Sequence, residues 1–113
     1  MADGFYGIFY TGTVGSGFGV VVLHDGKVTG VDVTGGIFSG SFDVTNSELV
    51  GTVHLEVPAG EILVTGAPAQ AQSYTLTIPL KVPADLGAGK PVLVKTPTGP
   101  INVNFKFLAP WTH

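Results

Sequence analysis

The stretch Val20-Val21-Val22-Leu23-His24-Asp25-Gly26-Lys27-Val28 decides the fold. Four apolar residues lead into Asp-Gly, a pair that tolerates the positive φ required by a two-residue type I′ turn, whose twist matches that of paired strands. An antiparallel hairpin follows, with strands over 17–24 and 27–33. Outward from it the apolar residues keep period two in both directions, and no window carries a helical face. Further strands are read at 4–11, 37–43, 49–57, 61–65, 73–78, 91–95 and 101–108, nine in all and one or two more than the fold needs. Thr34-Gly35-Gly36 and Thr45-Asn46-Ser47 supply the next turns, so the first half reads as a meander of neighbouring strands.

Alternation separates two faces. Leu49, Gly51, Val53, Leu55 and Val57 oppose Val50, Thr52, His54 and Glu56, and Tyr74, Leu76 and Ile78 oppose Ser73, Thr75 and Thr77. Ile101, Val103, Phe105 and Phe107 oppose Asn102, Asn104 and Lys106 in the same way. A sheet with one apolar face must bury it, and without helices the choices are a sandwich or a closed barrel. Gly17 and Gly19 share one strand face and Gly40 falls between Phe38 and Phe42, and inward glycines permit tight coiling. The expected fold is all-β: a small antiparallel up-and-down barrel of about eight strands, one domain over 1–113. Pro79, Pro83, Pro91, Pro97, Pro100 and Pro110 crowd the second half and predict irregular edges and loops there, with a short helical turn at 82–89.

Composition excludes several functions. Charged residues make up 12% of 113 residues, hydrophobic ones 44%, and the net charge is -3, so the chain folds and is not disordered. It has no Arg and five scattered Lys, which leaves no basic surface for phosphates and excludes nucleic acid as a partner. The absence of Cys removes disulfides, thiolate nucleophiles and Cys-ligated metals. Neither a long apolar span nor a basic leader is visible, which predicts a cytoplasmic protein with no membrane attachment. So few charges do little to oppose association, and a homodimer is expected.

Few residues carry chemistry, and no catalytic, metal or cofactor motif is present. Gly12, Gly15, Gly17 and Gly19 lie between two strands and offer no helix N-terminus to a phosphate. His24 leads into a turn beside a carboxylate. His54 and Glu56 share a strand face and lack a third partner for metal or proton transfer, so a solvated strand face accounts for them. Asp32 is more informative: if Val28 and Gly30 face inward, so does Asp32, and an inward carboxylate must find donors. Tyr6 or Tyr10 could donate at the barrel end, or Asp32 could anchor a ligand in an internal pocket. Tyr6, Phe9, Phe38, Phe42, Tyr74, Phe105 and Phe107 are assigned to the core, where some could also line a cavity for one small ligand. Trp111 is an exposed aromatic unless something covers it.

Asp3-Gly4-Phe5-Tyr6, Ile8-Phe9-Tyr10, Gly17-x-Gly19-Val20 and Asp25-Gly26-Lys27-x-Thr29-Gly30-x-Asp32 occur in an order and spacing that resembles the GrlR-like family. Ile37-x-x-Gly40, Tyr74-x-Leu76-x-Ile78-Pro79-x-Lys81-Val82 and Val103-x-Phe105-x-Phe107-Leu108 extend the likeness over most of the chain. These are small bacterial negative regulators of type III secretion gene expression with a lipocalin-like barrel. The resemblance implies an intracellular, non-enzymatic dimer that binds a transcriptional activator protein and keeps it from DNA. Where the regulatory member has a run of acidic residues after the fourth strand, this chain has only Asp43 and Glu48 with nonionic residues between.

Two functions are therefore expected. Regulation by protein contact would use Asp43, Asn46, Glu48 and Trp111 and leave the barrel filled or closed. Binding of a small hydrophobic ligand would use Asp32, Tyr6, Tyr10, Phe38, Phe42 and Phe105 around a cavity of roughly 300 Å³ or more. An enzyme built on His54 and Glu56 is a distant third.

Overall fold

A computed structural model describes residues 3–86 and 89–112. Its eight strands are β1 (Gly4–Thr11), β2 (Ser16–His24), β3 (Lys27–Asp32), β4 (Ile37–Thr45), β5 (Glu48–Val57), β6 (Tyr74–Pro83), β7 (Val92–Thr96) and β8 (Gly99–Ala109). All pairings are antiparallel, in the order β6-β5-β4-β3-β2-β1-β8-β7. The sheet curls until its two edges, β6 and β7, lie side by side, which makes a nearly closed up-and-down barrel. Pro79 and Pro83 on β6 have no N–H to give a further ladder, a property that confines proline to edge strands.

The decisive hairpin forms as read, with His24 paired to Lys27 and positive φ at both Asp25 (52°) and Gly26 (74°). Asn46 (53°) and Ser47 (62°) make the same kind of turn between β4 and β5. Tyr6, Ile8, Val21, Leu23, Val28, Phe42, Leu49, Val53, Ile78, Val82, Val94 and Val103 form one buried cluster inside the barrel. Four interior glycines set its curvature: a Cβ on Gly19, Gly30, Gly40 or Gly51 would collide with a carbonyl oxygen of the neighbouring strand. Strands coil this tightly only where a side chain is missing.

Four expectations need correction. Residues 61–65 are not a strand but part of the long β5–β6 connection, despite their apolar run. Val82 and Pro83 finish β6 and no helix follows among the described residues, while 87–88 of the expected turn lie outside them. Phe9, assigned to the core, faces outward and is 50% exposed, because Ile8 and Tyr10 take the inward positions. Phe107 is 46% exposed: a bulge where Phe5 pairs with Ala109 and Tyr6 with Phe107 ends the alternation, and the ring stands edge-on to Tyr6 at 5.5 Å.

Candidate functional site

Asp32 is the last residue of β3 and points inward, as the inward facing of Val28 requires. Its carboxylate gathers four donors. Oδ2 accepts from the Tyr10 hydroxyl at 3.0 Å, and Oδ1 accepts from the Thr34 N–H (3.0 Å), the Thr34 hydroxyl (2.8 Å) and the Gly36 N–H (2.8 Å). The β3–β4 turn thus folds around the carboxylate, in the way Asp side chains organise local backbone. Two glycines make room: a Cβ on Gly36 would sit 2.9 Å from Asp32 Oδ2, and one on Gly17 would sit 2.9 Å from the Tyr10 ring. Of the two tyrosines that could donate to Asp32, Tyr6 and Tyr10, Tyr10 is the one that does.

Burial, then the Asp32 charge, then the hydrogen bond to it raise the Tyr10 pKa above its ordinary 10.0. The folded protein therefore holds a proton that the unfolded chain releases. This stabilisation is complete below pH 10.0 and is lost as pH climbs from there toward the folded value. Tyr10→Phe should cost about 1.5 kcal/mol at neutral pH, the low end for a bond to a carboxylate because the pair is only half-buried. Urea unfolding against pH provides the check: wild-type stability should fall more steeply above pH 10.0 than that of the variant.

Beside this station lies a cavity of about 190 Å³ inside the barrel. Phe38, Val53, Leu55, Leu76, Ile78 and Leu80 belong to its apolar wall. Among the described residues lining it, Asp32 carries the sole charge. At the Asp32 end Thr34, Thr65, Thr96 and Thr98 add hydroxyls, those of Thr65 and Thr98 being 2.9 Å apart. The β5–β6 connection supplies Ile62, Leu63, Val64 and Thr65 across the same end, tied down by the Val14 N–H donating to the Val64 carbonyl at 2.9 Å. The apolar run that suggests a strand at 61–65 marks a covering loop instead.

Of the six residues expected around a ligand, Asp32, Tyr10, Phe38 and Phe105 line the cavity. Tyr6 and Phe42 are buried elsewhere in the core, away from it. The cavity is smaller than the expected minimum of roughly 300 Å³, and the barrel is not filled either.

The residues expected to meet a partner lie elsewhere. Asp43 and Asn46 are exposed near the opposite end, and Glu48 reaches Lys81 at 3.8 Å. Trp111 stacks on His24 (4.1 Å) and Phe5 (5.9 Å), so intramolecular rings cover part of it. The carboxylate nearest His24 is Asp3, 3.4 Å from Nδ1. His54 stands on the outer face within 3.2 Å of the Thr77 hydroxyl, and no three described acidic or His residues converge as a metal site. No helix among the described residues is long and apolar enough to cross a membrane.

Compared with models of known protein families the chain matches none, and no curated protein matches it.

Proposed function

We propose that this barrel binds a small apolar molecule in its interior, as a carrier or sensor and not as an enzyme. The observation that carries this reading is the 190 Å³ apolar cavity with a single polar station at one end. Ligand sites combine mostly apolar walls with a few placed polar groups, and an eight-stranded barrel has an interior of the size that holds one small molecule. Cavity volume limits the ligand: at 10–15 Å³ per water-sized position, the space takes on the order of a dozen such positions. Native mass spectrometry of the protein purified from its own host is the test. A discrete small-molecule adduct is expected, and an adduct-free protein that also takes up no apolar probe would overturn the reading.

A protein-contact role in the cytoplasm, as the GrlR-like resemblance implies, is the second reading, and a different surface favours it. Phe9 and Phe18 stack at 6.1 Å on the outer face, each about half exposed, and Val20, Val31, Val33 and Ile37 continue the apolar area across β2, β3 and β4. Such patches mark interfaces, and here the partner is either a second copy or a regulator. Replacing Phe9 and Phe18 together by serine should weaken self-association by about a hundredfold, since aromatic anchors dominate interface energies. Sedimentation equilibrium checks it; an unchanged dimer would move the interface elsewhere.

A further inference from the structure

Given that the barrel binds an apolar molecule, we propose that its ligand is an uncharged chain of about ten heavy atoms bearing a neutral oxygen, and that carboxylates such as fatty acids are refused. The proposal rests on the reading above and deepens it.

Three observations converge. First, Asp32 is the single charged side chain among the described lining residues, and no Lys or His lines the cavity to offset an anion. A ligand carboxylate would have to shed its water in an apolar tunnel and then face a like charge. Second, Asp32 is already committed, because its oxygens accept from Tyr10, Thr34 and Gly36. Those donors are engaged with Asp32 and are not free to bind an incoming anion, while an ammonium would find the carboxylate largely satisfied. Third, the hydroxyls of Thr65, Thr96 and Thr98 cluster at the same end of the cavity, with 2.9 Å between Thr65 and Thr98 and 3.2 Å between Thr96 and Thr98. Thr96 donates to the Gly99 carbonyl at 2.6 Å and accepts from the Thr98 N–H at 3.2 Å, so Thr65 and Thr98 are the hydroxyls left to meet a ligand. Hydroxyls both donate and accept, so this group suits an alcohol, carbonyl or ester oxygen.

The discrimination is mostly repulsive. A hydroxyl group supports a neutral oxygen only modestly, but a carboxylate taken out of water into an apolar cavity beside the half-buried Asp32 charge costs more than a missing hydrogen bond. The geometry therefore separates ligands with the same tail by the charge of the head.

The test is a calorimetric titration of the full chain at neutral pH with 1-decanol, methyl decanoate, decanoate and decylamine. Decanol and the methyl ester should bind, and decanoate should bind at least about tenfold more weakly. Asp32→Asn keeps an acceptor for the turn and should bring decanoate to within about threefold of decanol. The wild-type comparison needs no variant, so a poorly folded Asp32→Asn leaves the proposal exposed to it. Decanoate binding as tightly as decanol, or decylamine binding more tightly, overturns the charge selection and spares the cavity reading. Failure of all four probes to bind overturns both.

Discussion

Gly51→Val should remove about 3 kcal/mol or more, half or more of the stability of a small barrel, at room temperature. Gly51 lies on the inward face of β5, opposite Phe42 of β4, and a Cβ there collides with the Ser41 carbonyl oxygen and comes within 2.8 Å of the Phe42 Cα. The obstacle is backbone on both counts, so no rotamer change relieves it. Valine adds two further methyl groups to that contact, in a strand that is hydrogen-bonded on both sides by β4 and β6. Overpacking of a well-filled core costs about 1–3 kcal/mol and occasionally more, and a backbone obstacle puts this site at about 3 kcal/mol or above. Total stability of a small domain is about 5–15 kcal/mol, and a 113-residue barrel stands towards the low end. Far-ultraviolet circular dichroism with urea titration measures the loss. Gly15→Ala is the matched control, because nothing lies within 4 Å of its Cβ, and it should shift stability by less than about 0.5 kcal/mol. Equal stability of Gly51→Val and wild type would mean that the tight coiling of β4 against β5 is not a requirement of the fold.

Gly51 also illustrates what could be read in the chain beforehand. Its place on the apolar face of 49–57 follows from alternation alone, and so does the inward direction of Asp32 from Val28 and Gly30. Turn chemistry placed Asp25-Gly26 and the Asn46-Ser47 link, because short-range backbone preferences decide those. Covering segments are another matter. Ile62, Leu63 and Val64 alternate with nothing, yet they are apolar because they close over a cavity, and a short apolar run looks alike in a strand and in a lid. Prolines misled in the opposite sense: Pro79 and Pro83 suggested that the strand stops at 78, whereas β6 continues through both as an edge. The hydroxyl group at the cavity's end was illegible, since Thr65 and Thr98 are 33 positions apart and meet only through the tertiary fold. Phe9 could have been placed outside, because its neighbours Ile8 and Tyr10 share the inward face, but aromatic bulk outweighed alternation in that reading.

Val53→Phe should abolish ligand uptake while leaving the barrel folded, and this separates interior binding from any surface role. Val53 sits on β5, 9% exposed, with its side chain on the cavity wall. Its register neighbours are Gly40 on β4 and Ile78 on β6, so on one side no side chain competes for the space that a larger ring would take. The added ring atoms project into a 190 Å³ void and bury apolar surface there. That gain, at about 25 cal/mol per Å², offsets the strain of a larger core residue, so the net change in stability should stay within about 1 kcal/mol. The ligand loses its place in the same step. Affinity for 1-decanol should fall by more than about tenfold, and the self-association proposed for the Phe9 and Phe18 face should not change. Leu80→Phe plugs the same cavity from β6 and should give the same result, which guards against a defect peculiar to one site. If both variants fold and bind decanol as the wild type does, the molecule is not held inside the barrel. The apolar outer face of β1 to β4 then becomes the surface on which function depends.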